Sequence, residues 1–143
     1  MHKINRSALV RHSASEMFEL VNDISAYPEF LKWCRSSQVL SESDGEVVAE
    51  LEIAWKVLHK TFSTRNYLVR GESIQFTLES GPFQSLVGTW QFKELKQDAC
   101  KITMDIEFEF KNAVSNMVFT TIFSQIYKSL ISAFINRADE IYG

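Results

Sequence analysis

The side chains best able to ligate a metal or attack a bond are three histidines, His2, His12 and His59, and two cysteines, Cys34 and Cys100. Zinc and iron sites use such groups in short-spaced combinations, HxxxH, ExxH or CxxC, and the chain has none of these. The cysteines stand 66 positions apart, which suits neither a disulfide framework nor thiolate ligation. Cys34 directly follows Trp33 and reads as a small buried hydrophobe; it acts as a nucleophile only if a base lies beside it in space. Phosphoryl transfer, acyl transfer and dinucleotide binding each use a glycine-bearing loop, GxxxxGK[ST], GxSxG or GxGxxG, and none occurs. Asp105, Glu107 and Glu109 fall on the wet side of one strand, where nothing desolvates a carboxyl toward a general acid's range. No catalytic or metal-ligating residue is assigned, and the expectation is a binding protein, not an enzyme.

What the chain has in excess is aromatic surface: 11 Phe and 3 Trp, with aromatic residues at 13%. That exceeds what a small core requires, so part of it is expected to face an apolar small molecule. One polar residue intrudes on an apolar face. Arg65 and Asn66 are neighbours in a strand, so one of them points inward; with Phe62, Thr64 and Leu68 on the dry side, that residue is Asn66. Its amide either meets a ligand carbonyl or hydroxyl or hydrogen-bonds the backbone. The candidate ligand-binding residues are Tyr27, Phe30, Leu31 and Trp33 from a proline-broken segment taken as a lid, and Phe62, Asn66, Leu68, Phe76, Trp90, Ile106 and Phe108 from strands. Phe123 and Tyr127 join them from the last helix.

These residues need elements to position them. Residues 3 to 11 alternate as a first strand, and Ser13-Ala14-Ser15-Glu16 forms a capping box ahead of Met17, Leu20, Val21 and Ile24 at helical spacing. A helix over about 14–24 follows, and Pro28 restarts the chain as a second short helical segment. From Gln38 to Phe110 the period is that of strands, with turns at Ser43-Asp44-Gly45, Arg70-Gly71-Glu72, Ser80-Gly81-Pro82 and Lys96-Gln97-Asp98. The clearest is Cys100, Ile102, Met104, Ile106, Phe108 and Phe110 alternating with polar residues. Residues 112–142 contain neither Pro nor Gly and predict one helix of about 45 Å. Its apolar stripe, Val114, Val118, Ile122, Ile126, Leu130, Ala138 and Ile141, is widened by Met117, Phe123, Tyr127, Ile131 and Ile135. The fold expected is α+β: about seven antiparallel strands curved around the long C-terminal helix, one domain over 1–143 with a partly unfilled interior.

Fifteen Lys+Arg against 18 Asp+Glu give a net charge of −3, so no overall field attracts DNA or anionic lipid. A nucleic-acid partner needs local clusters, and these are Lys3, Arg6 and Arg11, then Lys32 and Arg35, then Lys56, His59 and Lys60. Lys56-Val57-Leu58-His59-Lys60 reads as a turn holding aliphatics between cations, a candidate surface for a partner or for transient contact with the inner membrane. No uninterrupted apolar segment of signal type occurs near the N-terminus, and the reduced cysteine pattern suits the cytoplasm.

Read together, the motifs Tyr27-Pro28-Glu29-Phe30-Leu31-Lys32-Trp33-Cys34, Lys60-Thr61-Phe62-Ser63-Thr64-Arg65-Asn66, Gly81-Pro82-Phe83 with Leu86, Gly88, Trp90 and Phe92, and Phe108-Glu109-Phe110 resemble the coenzyme Q-binding START-like family, long grouped with polyketide cyclases and dehydrases. The resemblance covers essentially the whole chain and is greatest to a bacterial branch of ribosome association toxins. Lys32 stands where the family often has proline. The resemblance implies a helix-grip fold with a deep apolar cavity, and ubiquinone or another polyprenyl lipid as ligand, with no catalytic cofactor. The function it implies first is that of a lipid chaperone supporting cellular respiration; the alternative is a toxin of a toxin–antitoxin system that binds the large ribosomal subunit and blocks subunit joining, and a second alternative is a polyketide cyclase/dehydrase-like enzyme.

Overall fold

In a computed structural model, which describes residues 2–111 and 113–143, seven antiparallel strands form one sheet in the order β1-β7-β6-β5-β4-β3-β2. The strands are β1 His2–Val10, β2 Cys34–Ser43, β3 Glu46–Trp55, β4 Leu58–Val69, β5 Ser73–Ser80, β6 Phe83–Lys96 and β7 Ala99–Phe110. Strands 2 to 7 follow one another as hairpins, and the chain's first strand closes on its last, with Ile4 opposite Ile106 and Val10 opposite Cys100. Irregular registers between Cys34 and Ser36, Val39 and Ser41, Phe83 and Ser85, and Glu94 and Lys96 interrupt the ladders, and such bulges bend a sheet. The alternation on β7 is realised: Cys100, Ile102, Met104, Ile106, Phe108 and Phe110 are all buried.

Gly88 on β6 shows how closely the sheet is built. A Cβ there would lie 2.2 Å from Cζ of Phe76 and 2.7 Å from the carbonyl oxygen of Asp105. The residue opposite on β5 is Phe76 itself, so the missing side chain is the space its ring occupies.

Helix α1, Ala14–Asn22, begins at the expected capping box. Ser13 Oγ accepts from the Glu16 amide at 3.1 Å, and the Ser13 amide donates to Glu16 Oε1 at 3.1 Å. Ala14, Met17, Phe18, Leu20 and Val21 are its buried face. A 3₁₀ turn, Ile24–Glu29, follows with Pro28 inside it.

The C-terminal segment is two helices, α2 Ala113–Lys128 and α3 Leu130–Tyr142, where one was expected. They part at Ser129, whose hydroxyl donates to the Ile126 carbonyl at 2.8 Å while its amide is shared between the Gln125 and Ile126 carbonyls at 3.3 and 3.2 Å. A serine hydroxyl competing for a helical carbonyl tightens the turn locally, and the Ala133 amide donates to the Ser129 carbonyl at 3.1 Å, so the two helices follow one another with only a one-residue irregularity. Ile122, Phe123, Ile126, Tyr127, Leu130, Ile131 and Ala138 are buried as expected, but Met117, Val118 and Ile141 are exposed; the side chain of Val114 lies outside the described residues. Met117–Tyr142 is long and apolar enough to cross a membrane, with a mean hydropathy of 1.3, yet many of its apolar side chains belong to the core.

Candidate functional site

Two hollows meet at Trp33. The inner one, about 50 Å³, lies under the sheet: Tyr27, Trp33, Phe62, Asn66, Phe76, Trp90 and Tyr127 line it. So do Val21, Ile24, Ala49, Leu51, Thr64, Ile74 and Leu130. The outer one is a groove of about 500 Å³ between the segment Phe30–Trp33, the end of β3 at Trp55 and Lys56, and the α2–α3 junction at Gln125, Ile126 and Ser129. Trp33 is a wall common to both, and only 7% of it is exposed. The deep cavity implied by the resemblance is therefore largely filled. A hollow of about 150 Å³ takes up a benzene-sized ring, so the inner space is too small for one as it stands, and Trp33 is a side chain that separates it from the groove.

The polar groups of the inner wall are few. The Tyr27 hydroxyl donates to the Val21 carbonyl, and the Thr64 hydroxyl donates to Asn66 Oδ1 at 2.8 Å. Asn66 faces inward and is buried, as its register with Phe62 requires, and its partner is a side chain and not the backbone. Burial pushes both Tyr27 and Tyr127 well above the usual phenol value, Tyr27 further because Tyr127 lies near. None of the residues lining this space carries a charge at neutral pH. Cys34 is buried, and desolvation pushes its thiol up to about 11, which leaves little thiolate to attack a substrate. Among the described residues no group of three His, Cys, Asp or Glu side chains could hold a metal ion.

The proline-broken segment expected to be a lid packs against α3. Tyr27, Phe30 and Phe134 meet edge-on at 5.5 to 6.3 Å, and Arg137 lies 5.1 Å over the Phe30 ring while reaching Glu29 Oε1 at 2.9 Å. Leu31 is buried on the groove wall.

Four expected cavity residues lie elsewhere. Phe108 and Phe123 pack into an aromatic cluster with Phe83 and Phe110, at centroid distances of 4.5 to 6.4 Å, which fills the sheet beyond Phe62. Ile106 is core on β7, and Leu68 is half-buried near Gly45 at the far end of β4. A dry face is longer than the space under it, so alternation alone does not separate wall from filler. Conversely, Ala49, Leu51 and Thr64 share the inward alternation and were not singled out.

On the outside, the turn between β3 and β4 is Lys56-Val57, shorter than expected, and Leu58 is wholly buried on β4, so it is removed from the candidate partner surface. Lys56, Val57, His59 and Lys60 remain exposed. Lys56 holds φ 54°, a left-handed conformation that side chains avoid. Its Nζ donates to Gln125 Oε1 at 3.1 Å, and Lys60 Nζ lies 5.6 Å from the Phe119 ring, so the hairpin tip runs beside α2.

Over residues 10–135 the sequence matches the family described as polyketide cyclase / dehydrase and lipid transport. It is 46% identical over 140 residues to a Pseudomonas aeruginosa protein named ribosome association toxin RatA, covering 98% of this chain and 97% of that protein. A more distant relative, 26% identical over 143 residues and covering 97% of this chain and 59% of the other, is the Xenopus laevis coenzyme Q-binding protein COQ10 homolog B, mitochondrial. The Zhui aromatase/cyclase of Streptomyces superposes with a TM-score of 0.88 over 99% of this chain and 96% of that one; at 15% identity this is a likeness of fold.

Proposed function

Since the chain belongs to the polyketide cyclase / dehydrase and lipid transport family, we propose that it is a ribosome association toxin, a cytoplasmic binding protein that engages the large ribosomal subunit and blocks subunit joining. The observation that carries this reading is the end-to-end similarity to a protein named for that association, which leaves no region of either chain unmatched beyond a few residues. The exposed hairpin tip, with Lys56, His59 and Lys60 around Val57, is a surface on which RNA phosphates can be met by an otherwise acidic protein. Expression of the chain in a bacterial host tests this reading. Ribosome profiles should show joined ribosomes depleted and free subunits accumulating; an unaltered profile at full expression sinks it.

A second reading is favoured by the inner wall: the protein binds ubiquinone or a similar polyprenyl lipid as a lipid chaperone, and the distant Xenopus laevis relative is named for binding coenzyme Q. A wall of rings and aliphatics with few polar groups suits a ring bearing an apolar tail, each buried CH₂ contributing about 0.8 kcal/mol. The tail would lie in the groove past Trp33, with Leu31 on its wall. The absence of charge along the lining favours binding over the acid–base chemistry of a cyclase. Mass spectrometry of an organic extract from detergent-free protein should find a quinone or polyprenyl lipid, and a clean extract counts against this second reading.

A further inference from the structure

The groove outside Trp33 has a lining of two unlike kinds. On α2 and α3, Gln125, Ser129, Ser132 and Asn136 recur at every third or fourth residue, so they share one helical face, and all four are exposed. They donate and accept hydrogen bonds and carry no charge. Rings supply the other kind: Phe30 and Trp33 from the proline-broken segment, and Trp55 at the end of β3, which is 37% exposed. The charged groups of the lining are Lys32 and Lys56, and no carboxylate of the described residues joins them. One contact brings the three chemistries together. Lys56 follows Trp55 in the chain, and its Nζ donates to Gln125 Oε1 at 3.1 Å, so a ring, a cation and an amide meet at one corner of the groove.

We propose that this corner takes one unpaired nucleotide of RNA: the base stacks on Trp55, its edge meets Gln125 and the polar face beyond it, and its phosphate meets Lys56. The inference rests on the ribosome reading above and narrows it, because the partner is then a loop, bulge or end of ribosomal RNA and not a duplex. In paired RNA the faces of the bases are covered by their neighbours, so only a base out of the stack reaches an aromatic side chain. A phosphate is a stronger partner for an ammonium than a neutral amide is, so it takes Lys56 and frees Gln125 for the base edge. An isoprenoid tail would use the rings of the groove and leave its polar face and both cations idle. Stacking on a ring also needs no positive net charge, which suits a chain of net charge −3.

The test is fluorescence anisotropy of the full chain at low salt with a labelled, unstructured RNA of about twelve nucleotides, and with the same strand annealed to its complement. The single strand should bind about tenfold more tightly than the duplex. Trp55→Ala should weaken the single strand about tenfold and leave the duplex unchanged, whereas Trp55→Phe, which keeps a ring, should retain most of the parent's affinity. Equal binding of strand and duplex, or a Trp55→Ala variant that binds the strand as the parent does, overturns the inference. Phosphatidylglycerol vesicles bound in preference to the strand overturn it in favour of a lipid headgroup. Co-sedimentation with large ribosomal subunits separates this inference from the reading beneath it. A parent that co-sediments but fails these tests leaves the ribosome reading standing without this site; one that never co-sediments ends both.

Discussion

Lys56 occupies a backbone conformation that Gly or Asn ordinarily takes in a two-residue hairpin turn, and the left-handed geometry costs a side-chain-bearing residue about 1–2 kcal/mol. The Lys56 side chain reaches Gln125 on α2 and is otherwise exposed, so under the ribosome reading it is available to meet a phosphate. Lys56→Gly should therefore raise the unfolding free energy by about 1 kcal/mol in urea while weakening association with large ribosomal subunits. A variant that is less stable, or that binds ribosomes as before, contradicts this role for the hairpin. At the cavity, Trp33→Ala should cost about 3–5 kcal/mol of stability, the usual range for truncating a buried ring, yet speed uptake of a quinone analogue in stopped-flow fluorescence of the remaining tryptophans. Uptake no faster than in the parent shows that the ring enters by another path. Asn66 was legible from the alternation of β4 alone, because Arg65 beside it had to face water. The filling of the inner space was not, since it depends on how ring volumes meet across the sheet and not on any pattern along one strand.

At the level of elements, the signals that survive are those with a local cause. The capping box at Ser13 and Glu16 satisfies two backbone amides whatever the rest of the chain does, and β7 displays its period over twelve residues. The irregularity at Ser129 left no such trace: serine is tolerated in helices, and the sequence does not show that its hydroxyl turns toward the Ile126 carbonyl where α2 passes to α3. The hairpin was read as five residues long because Lys-Val-Leu-His-Lys contains no turn former, whereas the strands run to Trp55 and Leu58. The sheet's tolerance can be tested at Gly88. A methyl group there would collide with the Phe76 ring, so Gly88→Ala should lower stability by about 1–3 kcal/mol and push that ring into the cavity, abolishing ligand binding. Unchanged stability in urea denaturation contradicts the close approach.

For the molecule as a whole, buried phenols and thiols set the alkaline limit. Cys34 and Cys100 are raised by burial from 9.0 to about 11, and Tyr27 and Tyr127 lie well above 10.0. In each case the unfolded chain loses its proton first, so above pH 9 it binds fewer protons than the folded one and stability falls as pH rises. Below about pH 8 these groups contribute almost no slope. Above pH 10 the slope should steepen by up to about 1.4 kcal/mol per pH unit for each buried tyrosine, and Tyr127→Phe should remove its own contribution in thermal melts. The same folded unit has to present its hairpin tip to a far larger partner, and that is the central claim. Sedimentation of the purified chain with purified large ribosomal subunits through a low-salt sucrose gradient tests it most directly. The account predicts protein in the large-subunit peak, progressively lost as salt rises, and absent for Lys56→Glu combined with Lys60→Glu. Parent protein that remains at the top of the gradient at every salt concentration contradicts it.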